Sequence, residues 1–176
     1  GFLQLENTTH QLHTRSHAIF SHFHDVASWR DFLDSQGAIT ADHPFHCDDA
    51  AQHHLLDGAW MWVLGFREGL TSAGIAYDPQ SHPAEKSWQQ WLASYPSVAR
   101  LFAHARLADQ PGRLVSPGRL QRMVTPASGP GWVLLPHTAG FIDPLHSTGI
   151  AHSLCAIEQL AGILQEHWGR ESMDRR

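Results

Sequence analysis

The sequence has little cysteine, no long apolar run and no excess of basic charge. Two cysteines in 176 residues exclude a disulfide-rich secreted scaffold. A net charge of −5 without a basic stripe argues against a nucleic-acid partner. No apolar run approaches the roughly 20 residues of a membrane-spanning helix, and no signal-peptide pattern opens the chain. We therefore expect a soluble, cytoplasmic protein with neither a nucleic-acid nor a membrane partner.

Two further absences concern the organisation of the chain. The opening "GFLQLENTTHQLHTRSH" has no initiator methionine, and it reads as the continuation of a longer polypeptide. No G-x-G-x-x-G motif occurs anywhere, so the chain carries no dinucleotide-binding turn of its own. An apolar fraction of 42% is nevertheless enough for a folded core. The sequence thus predicts a globular fragment.

The first half of the chain shows strand and helix patterns in turn. Alternation over 16–24 predicts a strand, and the spacing over 25–37 predicts a helix that stops at a glycine. The stretch 51–78 then contains two turn signals, at Asp57-Gly58 and at 67–69, and so predicts three antiparallel strands. In the middle strand, period-2 alternation puts Trp60, Trp62 and Leu64 on one face and Met61 and Val63 on the other.

The second half predicts helices and further strands. A helix, a proline hinge and a second helix fit 88–102, and 112–124 reads as an irregular strand with a Pro-Gly interruption. The segment "GWVLLP", 131–136, reads as a buried strand. From about 147 to 168 apolar residues recur with helical spacing, which predicts one long amphipathic helix with Cys155 buried on it. The apolar positions of that helix are Ile150, Leu154, Ile157, Leu160, Ala161 and Leu164.

The junction "LLPHTAGFIDPLHSTGI", 134–150, leads from this strand through two small-residue turns into the long helix. Free backbone N–H groups and the positive end of the helix dipole favour an anion or an electron-rich oxygen at such a helix start. Gly140 and Gly149 allow close approach of the backbone to a flat ligand. The pattern fits a cofactor contact, and it also fits plain strand-loop-helix architecture.

Two segments resemble a known family when they are taken together. "GFIDPLHSTGIAHSL" is similar to the last flavin-contacting segment of the flavin-dependent halogenases and related FAD-dependent oxidoreductases. "HHLLDGAWMWVLGF" is similar to the strand pair that carries their W-x-W-x-I-P signature. The resemblance extends from about Thr14 to Leu164, in matching order and separation.

The resemblance implies a fold class and a domain organisation. The fold would be α+β: a mostly antiparallel sheet of the substrate domain, flanking helices and a long C-terminal helix. It would derive from a p-hydroxybenzoate-hydroxylase-like FAD fold that lacks its N-terminal dinucleotide-binding half. Residues 1–15 would be the tail end of the FAD-binding domain, 16–130 the substrate-side sheet domain with helical insertions, and 131–176 the last flavin-contacting strand-loop and the C-terminal helix.

The resemblance also implies site residues, with FAD as the cofactor. Thr148 and Gly149 would hold the halide as well as contact the flavin, and Trp60 and Trp62 would line the substrate side. His146, where tryptophan-specific relatives carry glutamate, would be a catalytic proton donor or acceptor. The implied FAD-contacting residues are His137, Thr138, Ala139, Gly140, Phe141, Ile142, Asp143, Pro144, Ser147, Thr148 and Gly149.

Three positions depart from the family pattern. Leu64-Gly65 replaces the Ile-Pro of the signature, which favours a broader oxidoreductase or monooxygenase over a dedicated halogenase. His137 replaces an aspartate that bonds the flavin ribityl chain, and a histidine can donate or accept such a bond. The third departure is His146, which argues against the tryptophan-specific branch.

The predicted function follows from the resemblance. The complete protein would be an FAD-dependent oxidoreductase or monooxygenase of the halogenase type, acting on a small aromatic substrate with a halide and a flavin reductase as partners. The fragment by itself would bind FAD weakly or not at all, and would be inactive without the N-terminal half of the same polypeptide, because the adenine and pyrophosphate would lose their contacts.

Two alternatives stay open beside this prediction. One is a non-catalytic binding module on the same fold. The other is a His-rich metal-binding domain, because histidine, thiolate and carboxylate are the usual ligands of zinc and iron. Adjacent strand histidines would point to opposite faces, however, so no metal ligand is assigned. The residues that motivate the metal alternative are His43, His46, Cys47, Asp48, Asp49, His53 and His54.

Overall fold

The computed structural model describes residues 3–82 and 86–169, and for His146 the backbone alone. The chain forms two compact units. We call residues 16–119 the sheet unit, and residues 1–15 with 120–176 the terminal unit. Among the described residues no helix is long and apolar enough to cross a bilayer.

Eleven strands and five α-helices are described, and several are very short. The helices are α1 (Trp29–Ser35), α2 (Trp88–Ser94), α3 (Pro96–Leu101), α4 (Pro136–Ala139) and α5 (Thr148–His167). The strands are β1 (Glu6–Asn7), β2 (His17–His24), β3 (Gln52–Leu56), β4 (Ala59–Gly65), β5 (Thr71–Tyr77), β6 (Arg106–Leu107), β7 (Val115–Arg119), β8 (Arg122–Thr125), β9 (Ser128–Gly129), β10 (Trp132–Val133) and β11 (Gly140–Phe141).

The sheet unit is built on an antiparallel sheet with strand order β3-β4-β5-β2-β6, and β7 also pairs with β2. The three predicted strands of 51–78 are confirmed as β3, β4 and β5. Gly58 takes a positive φ of 61° in the first turn, and Glu68 and Gly69 take 64° and 71° in the second. These left-handed residues allow the chain to reverse twice within a short distance.

The core of the sheet unit lies on one face of this sheet. Met61 and Val63 are buried, with exposures of 0% and 6%, while the tryptophans of β4 point to the other face as predicted. Helices α2 and α3 cover the core through Trp91 and Leu101, whose exposures are 0% and 1%. The predicted hinge is confirmed, because α2 ends at Ser94 and α3 begins with a proline in its first turn, where a missing N–H costs nothing.

The terminal unit contains a sheet of three short strands in the order β1-β8-β11, the two-residue hairpin β9-β10, and helices α4 and α5. The prediction of a buried strand over 131–136 is wrong. Only Trp132 and Val133 of this segment form a strand, Val133 is 46% exposed, and Pro136 already begins α4. The irregular strand predicted over 112–124 is two strands, β7 and β8, which belong to different units.

Helix α5 confirms the long helix predicted from about 147 to 168. Its half-buried positions form one stripe at helical spacing, which includes Leu160 and Leu164. Ile150, Leu154 and Ile157, predicted for the buried stripe, are instead 58%, 63% and 47% exposed. The prediction of a buried Cys155 is wrong as well, because this free thiol is exposed. α5 therefore carries apolar side chains on more than one face, a pattern typical of a helix enclosed on several sides.

Candidate functional site

The junction between β10 and α5 is a series of short elements. After α4, the chain enters β11, which pairs with β8. The side-chain amide of Gln121 then donates to the carbonyl of Ile142 over 2.7 Å. The Asp143 carboxylate accepts from the Leu145 backbone N–H over 2.8 Å, an Asx turn that leads into a single 3-10 turn at Leu145–Ser147. Local hydrogen bonds therefore define the path of the chain up to the start of α5.

The start of α5 has an unusual backbone. Ser147, its N-cap residue, adopts the left-handed conformation with φ 53° and ψ 26°, and its side chain does not cap the helix. A non-glycine residue in this region is uncommon, and such strain occurs preferentially at functional sites. The first N–H groups of the helix and its dipole together attract negative charge. The turn is therefore suited to an anion or to a carbonyl oxygen.

His137 packs against this helix start. Its Nδ1 lies 3.2 Å from the Ser153 hydroxyl on α5, and its ring stacks on Phe141 with the centroids 6.0 Å apart. A Cβ on Gly149 would come within 2.5 Å of His137 Nε2, so the imidazole occupies the space that the glycine leaves open. A guanidinium N–H of Arg122 donates to the His137 carbonyl over 2.5 Å. These contacts tie α4 to the first turns of α5.

The remaining predicted cofactor contacts follow along the same junction. Thr138 and Ala139 end α4, while Gly140 lies in β11, where a Cβ would come within 3.3 Å of the carbonyl oxygen of Arg122. Pro144 precedes the 3-10 turn. Thr148 is exposed at the first position of α5. The side chain of His146, the predicted catalytic residue, lies outside the described residues.

The tryptophans of β4 belong to a row of rings across the sheet unit. Trp60 and Trp62 lie with their centroids 5.7 Å apart. The ring centroids of His53 (β3) and Trp60 are 5.3 Å apart, and those of Phe20 (β2) and Trp62 are 6.0 Å apart. We call these four side chains the aromatic row. The row lies on the face opposite the core, because its tryptophans alternate along β4 with the buried Met61 and Val63.

The register of the sheet brings further residues to this face. Gly74 pairs with Trp62 on one side and with Phe20 on the other, and the Trp62 indole N–H lies 3.4 Å from the Ser72 hydroxyl, to which it donates. Reasoning from the sequence did not select these partners. The available signal was a glycine inside a strand, which indicates close approach of another group.

A cavity of about 490 Å³ is lined by β3 and by residues from the neighbouring helices and loops, and it was not predicted. Burial lowers the pKa of His54, which lines the cavity, and the neighbouring charge of His53 adds to the effect. Burial and the Asp48 carboxylate raise the pKa of the Cys47 thiol in the same lining. Both side chains are therefore favoured in their neutral forms. Trp29, Leu56, Tyr95 and Val98 supply much of the apolar lining.

Three of the seven possible metal ligands come together in the part of the chain that the structure describes. The ligand atoms of His46, Cys47 and Asp48 lie within 4.8 Å of one another. The Asp48 carboxylate already accepts from the Ser28 hydroxyl over 2.5 Å, and also from the Gln52 amide over 2.8 Å and the Trp29 backbone N–H over 3.1 Å. His53 and His54 face opposite sides of β3, as the strand pattern predicted. The contacts of Asp48 therefore connect the start of α1 to β3.

Known proteins resemble the chain over most of its length. The Tryptophan halogenase family matches residues 17–174. Tetracycline 7-halogenase from Kitasatospora aureofaciens is 28% identical over 171 residues, which are 90% of this chain and 30% of that protein. Monodechloroaminopyrrolnitrin halogenase PrnC from Pseudomonas fluorescens is 29% identical over 162 residues, covering 86% of this chain and 27% of that protein.

A solved structure gives the same result for the fold. Halogenase PltM, in a crystal structure with phloroglucinol and FAD, superimposes with a TM-score of 0.79 at 25% identity. The match covers 96% of this chain and 36% of that chain. The chain thus spans about a third of the length of the proteins that it resembles. Because the family match takes in both the strands of the aromatic row and the start of α5, the chain belongs to the tryptophan halogenase family.

Proposed function

We propose that the chain is the C-terminal part of an FAD-dependent enzyme of the halogenase type. The observation that carries the proposal is the uncapped, left-handed start of α5 at Ser147, inside the segment that matches the family. Such a start offers backbone N–H groups to an electron-rich ligand. The crystal structure of halogenase PltM with FAD supports this cofactor.

FAD would lie along the junction from His137 to Pro144 and against Ser147, Thr148 and Gly149. The junction fits such a ligand because the first N–H groups of α5 lack a side-chain cap. His137 would orient the helix start through its contact with Ser153. Bound FAD supplies the oxidising chemistry, and the role of this chain is to hold the flavin edge and to exclude water. A halide would bind at Thr148 and Gly149.

The substrate would be a small aromatic molecule next to Trp60 and Trp62. Aromatic faces and edges attract other rings beyond the burial of area, and the aromatic row offers four of them. His146 would donate or accept a proton near the substrate. Replacing His146 with alanine in the complete enzyme should reduce turnover and change its pH profile. Unchanged turnover at every pH would exclude this role.

The proposal includes an N-terminal partner within the same polypeptide. Exposed Ile150, Leu154 and Ile157 on α5 give such a partner an apolar surface to cover. The complete fold would be p-hydroxybenzoate-hydroxylase-like, and the protein would work in the cytoplasm with a flavin reductase. The reaction would be monooxygenation rather than halogenation if the departure at Leu64-Gly65 from the family signature changes the chemistry.

A flavin titration tests the proposal directly. FAD is titrated into this chain and into a longer chain that restores the upstream sequence, and flavin fluorescence is followed. We expect tight binding in the longer chain only, and then turnover that depends on oxygen and halide. Absence of binding in both chains would reject the flavoenzyme and favour a non-catalytic binding module on the same fold.

Metal binding is the second candidate, because His46, Cys47 and Asp48 lie together. The test is cobalt titration of the purified chain, in which a thiolate ligand produces a charge-transfer absorption band. C47A should abolish the band, whereas C155A, which removes the exposed thiol of α5, should keep it. A chain that binds no cobalt would leave Asp48 with its hydrogen-bonding role alone.

A further inference from the structure

The six-membered part of the Trp62 indole lies directly over Gly74 on the neighbouring strand. A Cβ at position 74 would come within 2.1 Å of Trp62 Cζ2 and 2.4 Å of Trp62 Cη2. Real Cβ atoms do not approach other atoms so closely, so the indole occupies the volume of a missing side chain. Even alanine would force the ring to move.

Gly74 also separates Trp62 from Phe20. The three residues are directly opposite one another on β4, β5 and β2. A Cβ at position 74 would lie 2.4 Å from the Phe20 Cβ, whereas opposite Cβ atoms in a sheet are usually about 4.5–5.5 Å apart. The absent side chain therefore brings the Trp62 and Phe20 rings within 6.0 Å across an intervening strand.

A polar contact holds the other end of the same indole. Trp62 Nε1 donates to the Ser72 hydroxyl over 3.4 Å. Ser72 and Gly74 are two residues apart on β5, so both belong to the face that carries the aromatic row. One strand therefore supplies a hydrogen-bond partner and a steric gap, and the two together define the direction of the indole.

We propose that Gly74 is a positioning residue for Trp62, and that its missing side chain makes the aromatic row continuous from His53 to Phe20. Any larger residue at 74 will turn the indole away from β5 and separate it from Phe20. The consequence for a planar aromatic substrate rests on the proposed function. The positioning itself rests on the contacts of the sheet unit alone.

The test compares G74A with a matched control, G65A, in the chain as it stands. Gly65 also lies in a strand, but a Cβ there would meet its nearest neighbour, the Asp48 carbonyl, at an ordinary 3.6 Å. Two indoles with centroids 5.7 Å apart, as Trp60 and Trp62 are, should give a far-ultraviolet exciton couplet in circular dichroism. We expect G74A to lose the couplet, as W62F does, and G65A to keep it. A couplet that persists in folded G74A would overturn the proposal.

A double-mutant comparison separates the two contacts of Gly74. G74A should lower Tm by at least about 4 °C in the native background, and by less than half as much in a W62A background, where the indole is gone. An equal decrease in Tm in both backgrounds would mean that the glycine is required by the close approach of Phe20 and not by Trp62. That result would overturn the positioning role.

A third comparison applies if G74A does not fold. Folding restored in W62A/G74A then supports the proposal, and folding restored only in F20A/G74A contradicts it. None of these measurements requires flavin or substrate. A negative result here would therefore not affect the conclusion of the flavin titration. Likewise, a negative flavin titration would not affect the positioning of Trp62 by Gly74.

Discussion

The two units of the chain differ in how they bury apolar side chains. All 14 buried hydrophobic residues among the described positions belong to the sheet unit, from Ala18 to Ala108. The described buried residues of the terminal unit are the polar Thr8 and Gln121. The sheet unit thus encloses a core of its own, whereas α5 presents aliphatic side chains to solvent. The unit with the aromatic row therefore has a buried apolar core, and the unit with the junction 134–150 leaves apolar side chains of α5 exposed.

The strongest test of this difference is a large-to-small substitution in each unit. W91A removes a fully buried ring and should lower the free energy of unfolding by about 3 to 5 kcal/mol. L154A, at a side chain that is 63% exposed on α5, should change it by no more than about 0.5 kcal/mol. Urea unfolding followed by circular dichroism measures both. Comparable losses would show that α5 is as well packed as the core.

A second test addresses how the sheet unit connects its loops to its sheet. D48A removes the acceptor shared by Ser28, Trp29 and Gln52, and should lower the free energy of unfolding by about 1 to 2 kcal/mol. D49A is the control, because Asp49 is the next carboxylate along and its side chain is exposed. Equal effects in urea unfolding would argue against a special role for Asp48.

A third test uses pH to probe the burial of His54. Burial lowers its pKa in the folded state below the ordinary value of 6.5, so the unfolded chain binds more protons between these two values. The stabilising contribution is therefore present above about pH 6.5 and decreases as the pH falls through the folded-state pKa. H54Q should flatten this part of the stability profile. The control is H53Q, on the opposite face of β3, and an equal flattening there would contradict the assignment.

The smallest effect concerns the two free thiols. Cys155 is exposed on α5, whereas burial and Asp48 raise the pKa of Cys47, so a disulfide reagent should label Cys155 first. C155A should remove the fast phase and C47A the slow one. The rate at which Cys155 is labelled also tests whether α5 is covered in a longer chain. In the longer chain the fast phase should slow markedly if the N-terminal part covers this side of α5, and an unchanged rate would show that it does not.

Much of the sheet unit could be predicted from the sequence because its signals are local. Alternation in β4 assigns Met61 and Val63 to the core, and Asp57-Gly58 marks the turn before it. Most of the predictions that were wrong concern the terminal unit, and one, the strand predicted over 112–124, concerns both units. Val133 and Cys155 have apolar neighbours in the sequence, yet both are exposed. An apolar pattern predicts that a side chain will be buried against other side chains. The described part of the chain does not bury Val133 or Cys155 in this way.

The candidate site could be predicted only in part. The resemblance selected Trp60, Trp62 and the segment 137–149, and the family match confirms the family over a range that includes them all. Phe20 and Gly74 are 54 residues apart in sequence and were not selected, because only the pairing of β2 with β5 places them opposite each other. No local sequence pattern predicts how β2 and β5 are aligned with each other.

The sequence by itself determined the strands β2 to β5 of the sheet unit, the faces of β4, the long helix α5 and the family. These properties follow from periodicity, turn residues and short motifs, which act over a few neighbouring residues. Only the tertiary structure decided that Gly74 accommodates Trp62, that His137 fills the space beside Gly149, and that Ser147 begins α5 in a left-handed conformation. These features depend on contacts between elements, which arise from packing and register after the elements have formed.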